Sequence, residues 1–233
     1  MPRKRDLRWS IRLFKSALGG GLQRAYRQVR VDPRKFMLQL RQAHRLPISH
    51  WEDMFRFSSD ELRPHAQSII RASCKAAALE GAGLGFGGFA TLVPDMGILS
   101  AITIRLLQKL SLLYGFEYAS DEETVNLWIA AASAAGLDLG RDFVEKQAVE
   151  KLVPRLIDAI AVRVSEDVVE KWAGRVIPVL SAGAGAALNY YFIRAWGRRA
   201  QKHFEARHRA VRQVQGRELE SPPISNALPE WTM

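Results

Sequence analysis

The chain contains little cysteine and no spaced set of metal ligands. Its single cysteine, Cys74, excludes an internal disulfide framework and a multi-cysteine metal cluster. The five histidines show no metal-binding spacing, and the serine elbow G-x-S-x-G does not occur. No run of alternating β-branched residues predicts a strand. We therefore expect an all-α protein, folded as a single multi-helix bundle, with no cofactor and no metal.

Acidic residues are scarce at the start of the chain. Residues 1–45 contain 13 Lys or Arg residues against only Asp6 and Asp32, a local net charge of +11, whereas the whole chain carries +10. The rest of the chain is thus close to neutral. A basic segment on a neutral body predicts an anionic partner, such as a lipid surface or a nucleic acid.

Apolar residues recur every three or four positions from Leu7 to Val29, which predicts a basic amphipathic helix with a hinge at residues 19–21. Two interpretations remain open. The helix lies in a membrane interface, or it packs on the domain and leaves a solvated basic face. In the first interpretation the membrane-binding residues are Arg3, Lys4, Arg5, Arg8, Trp9, Arg12, Phe14 and Lys15.

Local signals mark several helix ends. Ser58 with Glu61, and Ser120 with Glu123, have the capping-box spacing, and Gly136 predicts a helix stop. We expect Pro154 to interrupt a helix and the segment from Ser165 to open another. The last helix should bury Phe192, Trp196, Ala200 and Phe204 and expose its cations. These signals divide the chain into a basic arm (1–45), a helical domain (46–215) and a disordered tail (216–233).

Two segments, 81–104 and 176–193, are unusually apolar and approach the length of a membrane span. Both are rich in Gly and Ala and both contain a proline. We therefore expect buried or membrane-dipping helices rather than permanent spans.

The stretch "GAGLGFGG" contains the spacing G-x-G-x-x-G of a dinucleotide-binding loop. A helical signal precedes it and Pro94 follows soon after, so the strand-turn-helix context of such a loop is missing. Small residues spaced by four instead predict closely packed helices. The helix-packing residues are Gly81, Gly85 and Gly88 in one segment and Gly183 and Gly185 in the other.

Four polar residues lie in or beside these apolar segments: Glu80, Asp95, Arg105 and Asn189. One interpretation is helix capping or structural pairing, since an unpaired buried charge is costly. The other is a functional cluster, which makes these four the weak catalytic candidates.

The segments together resemble the EcsC family of bacterial proteins. The matching stretches are "GAGLGFGGFATL", "VPDMGILSAITIRLLQKLSLLYGF", "SDEET", "VIPVLSAGAGAALNYYF" and "RRAQKHFEARH", over roughly residues 60–210. The family's features map onto Asp95, Arg105, Tyr114-Gly115, Ile177-Pro178 and Asn189. The resemblance implies an α-helical, hydrophobic, membrane-associated protein, in a family named after a member encoded beside an ABC transporter. It supplies no catalytic residues.

The residues and the resemblance predict a peripheral membrane protein on the cytoplasmic face of the inner membrane, and they allow a soluble cytoplasmic pool beside it. We expect a non-enzymatic lipid-binding protein, or a scaffold for a transporter or other helical membrane partner. The alternative is a hydrolase-like enzyme acting on a lipid or apolar substrate through Asp95, Glu80 and Arg105. Nucleic acid is the disfavoured partner, because no zinc finger, RNA-binding motif or recognition-helix pair is present.

Overall fold

A computed structural model describes residues 4–84, 92–118, 120–137, 149–172 and 182–215. Those residues form seven α-helices and one 3-10 helix, and they contain no strand, which confirms the all-α prediction. None of the helices in these ranges combines the length and apolarity that crossing a membrane requires. The predicted tail, residues 216–233, lies outside the described residues.

The described helices follow one another along the chain in the order below. They are α1 (Lys4–Gln28), α2 (Pro33–Ala43), the 3-10 helix (Trp51–Arg56), α3 (Ser59–Leu84), α4 (Leu92–Leu113), α5 (Asp121–Ala134), α6 (Val149–Trp172) and α7 (Ala182–Val214).

The central pair of the bundle is α3 with α7, which make the most extensive helix contact. The two helices run antiparallel, because the Ser59 hydroxyl donates to the Glu205 carbonyl at one end and Ile70 lies against Gly197 further along. A Cβ added at Gly197 would lie 3.0 Å from Ile70. The close packing expected of this bundle is therefore present in the middle of α7.

Helix α1 packs against α4 and α6. Its residues Leu18, Leu22 and Ala25 are at most 4% exposed. For the second half of α1 the structure thus shows the packed interpretation of the amphipathic helix. The prediction that residues 1–45 form a separate arm is untested as a domain boundary, although these three side chains share the core of the body.

The predicted hinge in α1 is wrong, because the helix is continuous through residues 19–21. The reason is contact with α6: a Cβ at Gly19 would lie 3.5 Å from the Cβ of Ala161. Packing on a neighbouring helix holds Gly19 in helical conformation and offsets its low intrinsic helix propensity, whereas a Cβ at Gly20 would meet no atom within 4 Å.

The predicted caps are confirmed. The Glu61 carboxylate accepts from the Ser58 backbone N–H at 2.8 Å, and the Glu61 N–H donates to the Ser58 hydroxyl at 3.2 Å. The Glu123 N–H likewise donates to the Ser120 hydroxyl at 3.2 Å. Gly136 ends α5 with a φ of +83°. The Leu137 N–H then returns to a carbonyl five residues back, as in a Schellman motif.

The prediction of two helices around Pro154 and Ser165 is wrong, since α6 runs unbroken from Val149 to Trp172. Buried apolar residues on both sides of Pro154, such as Val153 and Leu156, hold the chain helical despite the missing N–H. Ser165 is fully buried and donates its hydroxyl to the Ala161 carbonyl, four residues earlier, instead of capping a new helix.

Candidate functional site

The exposed side of α1 is basic. Arg12, Lys15, Arg24 and Arg27 are exposed, whereas the stripe of Leu18, Leu22 and Ala25 is buried. The apolar stripe of the second half of α1 is therefore buried in the core. The exposed face of this half is basic, so its contact with a membrane would be electrostatic.

The charge continues beyond α1. We use the term basic surface for nine exposed cations: Arg12, Lys15, Arg24, Arg27, Arg30, Arg34, Lys35, Arg41 and Arg45. Between residues 12 and 45 the sequence holds only one acidic residue, Asp32. None of the ion pairs that join described residues involves these nine cations. The surface thus presents net positive charge to solvent.

The remaining predicted membrane-binding residues are less fully described. Lys4, Arg5, Arg8, Trp9 and Phe14 lie within α1, but their side chains are outside the described part, and Arg3 is outside the described residues altogether. Their role stays a prediction.

Two side chains of the body hold the linker between α1 and α2. The Gln108 side chain accepts from the Val31 N–H at 2.9 Å and donates to the Val29 carbonyl at 3.0 Å. The Tyr118 hydroxyl donates to the Val31 carbonyl. Burial of this hydroxyl raises the pKa of Tyr118 to about 12. The basic surface is consequently fixed in orientation relative to the bundle.

The four catalytic candidates occupy different environments. Glu80 and Arg105 are exposed on α3 and α4, whereas Asn189 on α7 is 1% exposed. Asp95 is the fourth residue of α4, and its side chain is outside the described part. The proposed convergence of the four stays a prediction.

Three of the five predicted helix-packing glycines are described, and they lie where α3 ends and α7 begins. Gly81 belongs to the last turn of α3, and Gly183 and Gly185 to the first turn of α7. Gly85 and Gly88 lie outside the described residues. Because α3 and α7 run antiparallel, the described three are at the same end of the pair, but their contacts remain untested.

A buried polar network that we did not predict from the sequence joins α3, the end of α4 and α7. Glu205 is 5% exposed, and its carboxylate accepts from Gln201 at 2.8 Å, from Arg63 Nε at 3.1 Å and from the Tyr114 hydroxyl at 3.2 Å. Three donors, one of which is the cation Arg63, compensate the cost of burying the charge. Burial and the neighbouring Glu205 raise the pKa of Tyr114, so it remains a donor.

His208 lies beside this network and is fully buried. One ring nitrogen is 2.9 Å from the Tyr114 carbonyl and the other 3.0 Å from the Phe57 carbonyl. The ring also stacks on Phe55 with centroids 5.0 Å apart. Burial lowers the pKa of His208, and the two carbonyls oppose this. A neutral ring has one N–H, so it satisfies one carbonyl at a time.

The sequence did carry one signal for this network. Glu205 and His208 fall among Ala200 and Phe204 on the stripe of α7 that faces the core. Polar residues on a predicted apolar stripe indicate a buried network, although their partners on other helices cannot be read from the pattern.

The profile of the EcsC protein family matches residues 22–208, most of the chain. The chain belongs to the EcsC family. Its EcsC match begins at Leu22 in α1 and ends at His208 in α7, so it includes the last seven residues of α1, all of α2, and Glu205 and His208 of α7. The resemblance noted over residues 60–210 thus extends further toward the N-terminus.

Among curated proteins, the chain is similar to Protein EcsC of Bacillus subtilis (strain 168). The two are 28% identical over 165 residues, which cover 69% of each chain. No solved structure matches the chain. One family feature, the Tyr114-Gly115 pair, closes α4: Gly115 has a φ of +87°, and the Phe116 N–H returns to the Ser111 carbonyl at 2.9 Å.

Proposed function

We propose that this EcsC-family protein is a non-enzymatic peripheral membrane protein that docks on anionic lipid through its basic surface. The observation that supports the proposal is the division of α1 into a core-facing apolar stripe and an exposed basic face. The expected location is the cytoplasmic face of the bacterial inner membrane, where anionic headgroups provide the counter-charge.

The expected binding strength follows from the number of cations. A Lys or Arg near an anionic leaflet contributes about 1 kcal/mol, and the contribution decays within a Debye length. Only some of the nine cations contact a flat surface at once. Even three or four of them support measurable binding at low salt, and added salt should weaken it.

Removing residues 1–31 is a poor test, because it also removes Leu18, Leu22 and Ala25 from the core. A sharper variant replaces the exposed Arg24, Arg27 and Arg30 with Gln. Losing three cations should weaken binding to phosphatidylglycerol vesicles about 100-fold.

The matched control replaces three exposed cations elsewhere, Arg71, Lys75 and Lys202, with Gln, for the same change in net charge. This control should bind within about threefold of wild type, because its cations lie on α3 and α7 and do not belong to the basic surface. Equal weakening of the two triple variants would show that net charge acts without a defined docking surface and would overturn the proposal.

A second candidate function, a scaffold for a helical membrane protein, rests on a different surface. Leu79 on α3 and Tyr191 on α7 are 75% and 65% exposed, and the antiparallel pairing puts them at the same end of the bundle. A photoreactive amino acid at position 79, activated in bacterial membranes, tests this function. A specific protein adduct, lost on Tyr191→Ser, supports the scaffold; adducts with lipid alone contradict it.

A further inference from the structure

An open cavity of about 570 Å³ lies beside α2, and two cations of the basic surface, Arg34 and Arg41, line it. Its lining includes residues from three regions: α2, the segment at the 3-10 helix and the segment after α4. The volume is in the range of small-ligand sites. The residues that matter for its chemistry are Asp32, Glu117, Arg34, Arg41, Leu38 and Trp51.

The cavity contains both signs of charge. The carboxylates of Asp32 and Glu117 come from different segments, and both residues line the cavity. Asp32 also caps α2, because its Oδ1 accepts from the Arg34 and Lys35 N–H groups at 2.9 and 3.2 Å. A site lined by two carboxylates disfavours a ligand that is only anionic and favours one that also carries an ammonium group.

Arg34 and Arg41 lie seven residues apart, two turns along the same face of α2. Both are exposed, and Arg binds phosphate through several donors at once. Between them, Leu38 is 51% exposed, and Trp51 contributes an apolar wall. The cavity therefore combines donors for a phosphate, acceptors for an ammonium and an apolar strip.

We propose that this cavity binds the headgroup of an aminophospholipid of the phosphatidylethanolamine type. Glu117 and Asp32 accept hydrogen bonds from the ammonium, Arg34 and Arg41 bind the phosphate, and the glycerol and first acyl carbons lie along Leu38. A choline headgroup fits less well, because its methylated nitrogen donates no hydrogen bond. This inference rests on the proposed membrane function and adds a lipid preference to it.

The test compares two vesicle compositions with the same fraction of phosphatidylglycerol, completed with either phosphatidylethanolamine or phosphatidylcholine. Wild type should bind the ethanolamine vesicles about two- to fivefold more tightly, the range for an exposed charge pair. Glu117→Gln should lose this preference, and Glu117→Asp should retain part of it. The control Glu122→Gln, an exposed carboxylate outside the cavity, should keep the full preference.

The outcomes separate this inference from the proposed function. Binding to phosphatidylglycerol without an ethanolamine preference overturns the inference alone. A preference that persists in Glu117→Gln shows an effect of bilayer packing and overturns the assigned site. Failure of wild type to bind either anionic vesicle overturns the proposed function itself.

Discussion

Gly115 and Gly136 offer a matched pair of substitutions that measures how tightly the end of α4 is packed. Both glycines end a helix in the left-handed region, with φ of +87° and +83°. A Cβ at Gly136 would meet no atom within 4 Å, whereas one at Gly115 would lie 2.9 and 3.0 Å from two ring carbons of Phe55. Alanine at either position has the same conformational cost. Only at Gly115 does its Cβ add a steric cost.

The conformational cost of a non-glycine residue in the left-handed region is about 1–2 kcal/mol. A smaller unfolded-state entropy offsets about 0.4–1 kcal/mol of it. Gly136→Ala should thus lower the free energy of unfolding by about 1 kcal/mol. Gly115→Ala adds overpacking of about 1–3 kcal/mol, for a total of about 2–4 kcal/mol. Phe55 cannot easily yield, since its ring stacks on the fully buried His208.

Urea unfolding followed by far-ultraviolet circular dichroism measures both variants against wild type. We expect the Gly115→Ala midpoint to fall clearly below that of Gly136→Ala at an unchanged denaturant slope. Equal midpoints would mean that the packing of Phe55 on Gly115 does not constrain this end of α4, and would refute the reasoning.

Other predictions concern the buried network, the linker and pH. Tyr114→Phe keeps the ring but removes the donor to Glu205, and should lower the free energy of unfolding by about 1.5–3 kcal/mol; an effect below about 0.5 kcal/mol in urea would contradict the network. Gln108→Leu leaves the Val31 N–H and the Val29 carbonyl of the linker unpaired, and should lower the free energy of unfolding by about 1–3 kcal/mol. An unchanged melting temperature would contradict the role of Gln108 in holding the linker. Burial lowers the pKa of four histidines, including His208. Near and below about pH 6.5 the unfolded state therefore binds more protons than the folded state. The free energy of unfolding should therefore fall as pH decreases from about 7.5 to about 5. A rise in the free energy of unfolding over that range would contradict this prediction.

Local features of this fold were predictable from sequence because their causes are local. The Ser58 cap and its partner Glu61 are three residues apart, and Gly136 ends its helix through its own backbone conformation. Short-range hydrogen bonds of this kind need no knowledge of the tertiary fold.

The buried network was not predictable, because its contacts join distant parts of the chain. Glu205 contacts Tyr114 and Arg63, which are 91 and 142 residues away in sequence. The position of α1 shows the same limit. Its amphipathic pattern fits a membrane and a protein core equally well, and only the contacts of Leu18 and Leu22 show that the core uses the second half. Pro154 likewise predicted a helix break, but α6 is continuous there because its neighbours Val153 and Leu156 are buried.

The central claim, electrostatic docking on anionic lipid, is tested most directly by vesicle binding of the wild-type chain across a salt titration. We predict binding to phosphatidylglycerol vesicles that weakens steadily from about 0.05 M to about 0.5 M salt, and no measurable binding to pure phosphatidylcholine. Binding that is independent of salt, or equally strong on phosphatidylcholine, would contradict it.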